Sequence, residues 1–191
     1  MKLLEDRILK DGRVYPGDVL KVDSFLNHEI DVPFISKLGE EFYRLYKGEG
    51  VTKILTIEAS GIGIACLTAA YFDCPVLFAK KSETSNLGAD VYTSEVYSYT
   101  HKKTYTIRVE KEFLRPDDRV LIIDDFLAMG SALKGLTELV KKSGATIAGV
   151  GIVIEKAFQP GGDEIRGTGV RVESLARIAS MDDCGKITFA D

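Results

Sequence analysis

Four short runs of almost unbroken apolar, largely β-branched residues constrain the fold most: KILTIE (53–58), PVLFAK (75–80), RVLIID (119–124) and IAGVGIVIE (147–155). A strand that meets water on one face alternates apolar and polar residues, so runs of this kind fit strands buried on both faces. Between the first two lies a small-residue helical segment, about 61–72. Between the last two a helix is expected over about 131–143, which Gly144 can terminate. Strand, helix, strand, repeated in this way, predicts an α/β fold: a central, mostly parallel sheet flanked by helices. At 191 residues the chain suits one domain spanning 1–191.

Other segments dress this core. Leu3, Leu4, Ile8 and Leu9 make a short amphipathic helix that Gly12 can end. Phe34, Leu38, Phe42 and Leu45 recur at helical spacing between Pro33 and Tyr46, whereas VLKVDSFLNHEID (19–31) keeps no period and reads as an excursion over the fold. From Thr93 to Val109 the sequence alternates and is rich in Tyr, Thr and Val, which predicts exposed antiparallel strands or a mobile hairpin.

With hydrophobic residues at 45% and charged residues at 28%, the chain is globular rather than disordered. Its net charge of −4 argues against broad nucleic-acid binding, which needs a large basic face. The opening MKLLEDRILKDG interrupts its apolar residues with acids, so neither a secretory signal nor a membrane span is expected. Cys66, Cys74 and Cys184 match no zinc spacing and read as reduced thiols of a cytoplasmic protein.

In open α/β sheets ligands bind beyond the carboxyl ends of the strands. There the sequence places Glu58 to Gly61, then Lys80 and Lys81, then Asp124 to Ala132, then Glu155 to Phe158. Singly, each has a plain structural reading: an N-cap, a turn, a solvated lysine pair. Together they suggest a sugar phosphate. The amides of Ala128, Met129, Gly130, Ser131 and Ala132, entering a helix, suit a phosphate monoester. The turn of Ala59, Ser60 and Gly61, with Lys81 near it, suits a second anion such as pyrophosphate. The adjacent carboxylates Asp124 and Asp125 suit neither anion, but they accept the hydrogen bonds that a vicinal diol donates.

The stretch VLIIDDFLAMGSA (120–132) resembles the phosphoribosyl-pyrophosphate motif of type I phosphoribosyltransferases. The likeness extends over nearly the whole chain to the bacterial branch that acts on xanthine, in VLKVDSFLNHEID, IVIEKAFQPGGDE (152–164) and RVESLARI (171–178). It departs from the familiar pattern at Met129 and Ser131, where Asn and Gln are usual; backbone amides do the cradling, so the motif survives the change. The resemblance implies that fold, with a small hood over residues 1–32 and a flexible flap over about 82–110 whose Tyr97, Ser98 and Tyr99 serve as a lid. It implies that Asp124 and Asp125 hold the ribose hydroxyls, that 128–132 hold the 5-phosphate, and that Mg²⁺ arrives bound to phosphoribosyl pyrophosphate. It also implies xanthine contacts at Leu20, Asn27 and Lys156, and a homodimer. Phe158 is either a base-stacking ring or a core aromatic.

Three other readings stay open at this level. ASGIGIAC (59–66) follows a strand as a dinucleotide fingerprint does, yet Cys66 stands where a third small residue belongs and lysines stand where the ribose-binding acid belongs. A nucleotide-sensing regulator of the same fold is another. The third keeps the reaction and changes the base to hypoxanthine, guanine or adenine.

Overall fold

The computed structural model describes residues 1–82, 90–98, 103–182 and 184–190. The chain runs through α1 (Lys2–Asp11), a hairpin of β1 (Arg13–Tyr15) and β2 (Val19–Lys21), α2 (Val32–Tyr46), β3 (Lys53–Ile57), α3 (Gly61–Phe72) and β4 (Val76–Ser82). It continues through β5 (Val91–Ser98), β6 (Lys103–Glu110), β7 (Arg119–Leu127), α4 (Ser131–Ser143), β8 (Thr146–Lys156), α5 (Gly161–Arg166), β9 (Val172–Met181) and β10 (Ile187–Phe189).

Among the described residues one sheet holds eight strands in the order β10-β9-β8-β7-β3-β4-β6-β5. The strands from β9 to β4 are parallel, and β10, β6 and β5 join antiparallel at the two ends. Helices α1, α2 and α3 bury one face and α4 the other, giving two cores, one around Leu38, Phe42 and Ile123, the other around Leu55, Leu136 and Ile152. Helix α2 follows from its sequence. Phe34, Leu38 and Phe42 fall on one face and are buried, and the Asp31 carboxylate caps the start by accepting from the Phe34 N–H at 3.1 Å. Such a cap is worth about 1 kcal/mol. The glycines within the β8 run exist for this helix. A Cβ on Gly149 would stand 2.3 Å from Tyr46 Cε1, and one on Gly151 would stand 2.7 Å from Phe42 Cε1.

The four expected strands and the flanking helices form at the expected places, with three instructive differences. The alternating segment is less exposed than its polarity suggests. Ser94, Val96, Ile107 and Val109 are buried, and Val96 Cγ2 would meet a Cβ on Gly135 of α4 at 2.6 Å. Alternation marks one buried face, but only the tertiary structure says that α4 covers it. Tyr99, part of the expected lid, lies outside the described residues, as do 83–89 of the flap. Strand β4 runs on through Lys80 and Lys81, which pair with Arg108 and Ile107 of β6. Lastly, RVESLARI belongs to β9, whose scattered Glu173, Ser174 and Arg177 hide a strand that buries Val172, Leu175, Ala176 and Ile178. No helix among the described residues is long and apolar enough to cross a membrane.

Candidate active site

From β3 the chain crosses through α3 to β4 on one side, and from β7 it crosses through α4 to β8 on the other. The strand order therefore reverses between the neighbours β3 and β7, and such a reversal opens a crevice at the carboxyl ends of the two strands. The 58–61 turn and the 124–132 turn meet there. A Cβ on Gly61 would lie 2.1 Å from Thr56 Oγ1 and 3.2 Å from Asp124 Oδ1.

Asp124 and Asp125 end the apolar run with 5% and 8% exposure. The Asp125 N–H donates to Asp124 Oδ1 at 3.0 Å. Burial, and next the charge of Asp125, push the Asp124 carboxyl well above the usual carboxylate range, while the Lys81 charge pulls the other way. A strand end that concentrates acidity in this manner, against an opening crevice, is a place for hydroxyl donors and cations. Among the described residues Thr56 Oγ1, fully buried beside Gly61, has no hydrogen-bond partner.

The loop after the acids enters α4 through Gly130, whose φ of 76° lies in the left-handed region that favours glycine. Gly130 has no side chain with which to cap α4, so among the described residues the N–H groups of its first turn stay available to an anion. Ala128 to Leu133 line a cavity of about 210 Å³ together with Phe126, Val96, Tyr97 and Tyr105, which brings the flap strands to the same loop. The loop leans on a partner that sequence reasoning missed. The Gly161 N–H donates to the Ala128 carbonyl at 3.1 Å, and a Cβ on Gly161 would stand 2.3 Å from that oxygen. The only sequence signal was the Pro160-Gly161-Gly162 tripeptide.

The companion turn is built differently. Its Glu58–Ala59 peptide bond is cis, and Glu58 Oε1 accepts from the Lys81 N–H at 2.5 Å. Ser60 precedes α3 without capping it through its side chain, so these amides are open too. The two lysines expected together part company. The Lys81 ammonium lies 5.5 Å from the Tyr105 ring, on the Asp124 side, whereas Lys80 lines a separate cavity of about 480 Å³ with Phe78, Arg108 and Phe113. Strand alternation separates them.

The three residues expected at the base lie on three elements. Lys156 ends β8, and its ammonium donates to the Asp18 carbonyl at 2.7 Å, at the tip of the β1–β2 hairpin, and sits 5.8 Å from the Phe126 ring. Burial pulls this ammonium below its ordinary pKa, and the Asp18 charge opposes the shift. Leu20, two residues beyond Asp18, is 6% exposed and packs into the core. Asn27 closes a five-residue π-helical turn, Asp23–Asn27, and is exposed. That turn is held from behind by Arg7, whose guanidinium lies 5.1 Å from both the Phe25 and Phe34 rings and donates to Asp31 at 2.9 Å. Ile30 then rests on the first turn of α3, its Cδ1 2.8 Å from where a Gly63 Cβ would be. Phe158 is 39% exposed, which excludes the core reading of that ring.

Comparison with known proteins agrees with this geometry. Residues 22–171 match the family model described as Phosphoribosyl transferase domain. The chain is 58% identical over 190 residues to a xanthine phosphoribosyltransferase of Lachnoclostridium phytofermentans, covering 99% of this chain and 98% of that one. It is 56% identical over 191 residues to the enzyme of the same name from Ruminiclostridium cellulolyticum, covering 100% of each. Among solved structures, the adenine phosphoribosyltransferase of Giardia lamblia in complex with 9-deazaadenine superposes with a TM-score of 0.78 over 91% of this chain and 97% of that one. At 22% identity that likeness speaks for the fold alone.

Proposed function

This chain belongs to the phosphoribosyltransferase family, and from that premise we propose that it transfers the 5-phosphoribosyl group of phosphoribosyl pyrophosphate to xanthine. The products are xanthosine 5′-monophosphate and pyrophosphate, a purine-salvage reaction. The observation that carries this reading is the buried Asp124–Asp125 pair set at the mouth of an uncapped helix, in a chain related from end to end to enzymes named for xanthine.

The 5-phosphate sits on the amides of 128–132. Asp124 and Asp125 accept from the ribose hydroxyls and favour the positive charge that develops on the ring. Pyrophosphate, entering with its own Mg²⁺, lies at Ala59, Ser60 and Gly61 with Lys81 beside it. A purine nitrogen attacks the anomeric carbon from the face opposite pyrophosphate. The bond to pyrophosphate breaks with its electron pair on the leaving oxygen and the configuration inverts; xanthine, an acidic purine, gives the proton of the attacking nitrogen to solvent before the flap closes. Catalysis of this kind is chiefly positioning and electrostatics. Lys156 donates to an oxo group of xanthine, Asn27 donates and accepts at its edge, Leu20 backs the pocket, and Phe158 covers the ring.

The hood of residues 1–32 holds the base side, and the flap of about 82–110 closes over the reacting centre to exclude water. Tyr97 and Tyr105, lining the loop cavity, support the flap reading. A cytoplasmic homodimer completes the proposal. The test is to offer xanthine, hypoxanthine, guanine and adenine separately with Mg²⁺ and phosphoribosyl pyrophosphate and follow nucleotide formation. Xanthine is the preferred base. A faster reaction with another purine overturns the base assignment and leaves the transfer standing, while no nucleotide from any base overturns the transfer.

A further inference from the structure

Apart from Phe158, the segment that joins β8 to β9 carries no substrate contact in the reading above, yet several side-chain and backbone contacts tie it down at the carboxyl end of the sheet. Glu155 is 1% exposed. Its two carboxylate oxygens accept from the two terminal nitrogens of Arg166, at 2.7 Å each. Ser174 of β9 donates to the same carboxylate, and Arg177 Nε lies 3.5 Å from it. Arg166 is the last residue of α5, so this fork fixes a helix too short to hold its own place. At the other end of α5, Gly162 lies on the pair: a Cβ there would stand 2.2 Å from Glu155 Oε1 and 2.7 Å from Arg166 Nη1.

Gly161, one residue earlier, touches the phosphate loop by backbone alone. A Cβ there would stand 2.3 Å from the Ala128 oxygen and 2.5 Å from the Gly130 nitrogen, and its N–H donates to Ala128. Lys134, in the first turn of α4, is paired with Glu164 of α5, a second tie between the two helices. The Ala128 carbonyl is thus turned toward α5. A carbonyl so occupied cannot swing into the cradle, where its negative end would repel an anion.

We propose that Arg166, paired with Glu155, and the Gly161-Gly162 backbone act as a clamp that holds the 128–132 loop in its anion-binding shape. Arg166 is therefore a positioning residue for the phosphoribosyl group and not for the base. Residue type follows from the role. A buried carboxylate accepts a planar fork at two points, which locks rotation as well as distance, and only glycines let α5 approach both the ion pair and the loop. This inference rests on the reading of the loop as the 5-phosphate site.

The experiment uses the full-length wild type with Arg166→Lys, Arg166→Leu and Gly161→Ala. Amide hydrogen exchange is followed without ligand at residues 161 and 134, whose N–H groups donate to the Ala128 and Gly130 carbonyls of the loop, against the interior of β3. Binding of ribose 5-phosphate and the KM values for phosphoribosyl pyrophosphate and for xanthine are then measured. Gly161→Ala leaves the ion pair whole, so it reports on the loop even if Arg166→Leu fails to fold. Expected are faster exchange at these two loop-bonded amides with β3 unchanged, a rise of about tenfold in the dissociation constant of ribose 5-phosphate and in the KM for phosphoribosyl pyrophosphate, and a xanthine KM within about twofold. Arg166→Lys, which keeps the charge and loses the fork, falls between wild type and Arg166→Leu. Unchanged loop exchange in Gly161→Ala overturns the clamp whatever the ligand does. An equal rise in both KM values overturns the selective role. Wild-type protein that fails to bind ribose 5-phosphate overturns the phosphate assignment instead, and the exchange data then still decide the clamp.

Discussion

The turns that follow β3 and β7 occupy neighbouring places in one sheet, and both open uncapped helices, yet they are stiffened by different means. The β7 turn is walled by backbone: Gly161 presses on Ala128 and Gly130, and α5 is anchored in turn by a buried ion pair. The β3 turn is walled by side chains: Thr56 and Asp124 lie under Gly61, and Glu58 takes the Lys81 N–H. The lesson is that the parallel sheet supplies two anion-ready helix entrances, and their surroundings decide what each can hold. The 128–132 loop is held by backbone contacts with Gly161, although the acid pair stands just before it. The 58–61 turn rests on Thr56 and on that same Asp124 carboxyl, with Lys81 on the Asp124 side.

Substitutions can break this contrast. The largest effect is expected at the acid pair that ends the β7 run. Asp125→Asn keeps shape and removes charge, and it should lower kcat/KM by about 100-fold, roughly 3 kcal/mol, with an unchanged circular dichroism spectrum. Next is Gly61→Ala, whose Cβ would overlap Thr56 Oγ1. A loss of about tenfold in kcat/KM is expected, partly restored when Thr56→Ala is added, because residues in contact are not additive. If the double variant is no better than the single, the side-chain wall is not what shapes this turn. Removing the lysine by Lys81→Gln should weaken pyrophosphate inhibition by about fivefold and leave ribose 5-phosphate binding as it was, since that charge belongs to one turn only.

The smallest effect sharpens the electrostatic half of the contrast. Asp124 has a folded pKa above its unfolded value, so the native state holds more protons than the unfolded chain and stability falls as pH rises from the ordinary carboxylate range through the raised value. Asp124→Asn removes that slope. Thermal unfolding of ligand-free protein at pH 5 and pH 8 should show the mutant gaining about 2–4 °C over wild type at the higher pH and little at the lower. A difference between mutant and wild type that does not grow from pH 5 to pH 8 would contradict the burial assigned to Asp124.

The legible parts of the molecule were those where local chemistry and position coincide. KILTIE, RVLIID and IAGVGIVIE suit strands buried on both faces, and helix 131–143 announces its end with Gly144. The acid pair and phosphate loop were legible because a single stretch contains them. The Gly161 contact was not, because 128 and 161 meet through space and a glycine pair reads as an ordinary turn. The fork on Glu155 was hidden in the same way, since Arg166 and Ser174 stand 11 and 19 residues along. The lysine pair misled for the opposite reason: Lys80 and Lys81 are adjacent in sequence and turn to opposite sides of a strand that runs two residues longer than its apolar run.

The sequence by itself determined that this is a mostly parallel α/β chain with a small-residue loop and an acid pair at one strand end, because apolar period and residue chemistry are local properties. Tertiary structure alone decided the rest: that the strand order reverses between β3 and β7, that α4 buries one face of the flap, and that Lys156 reaches the hairpin tip at Asp18. It also decided that a short helix far along the chain meets the 128–132 loop through the Gly161 N–H and the Ala128 carbonyl. Those outcomes depend on which buried surfaces find each other when the chain closes, and no window of neighbouring residues contains both partners.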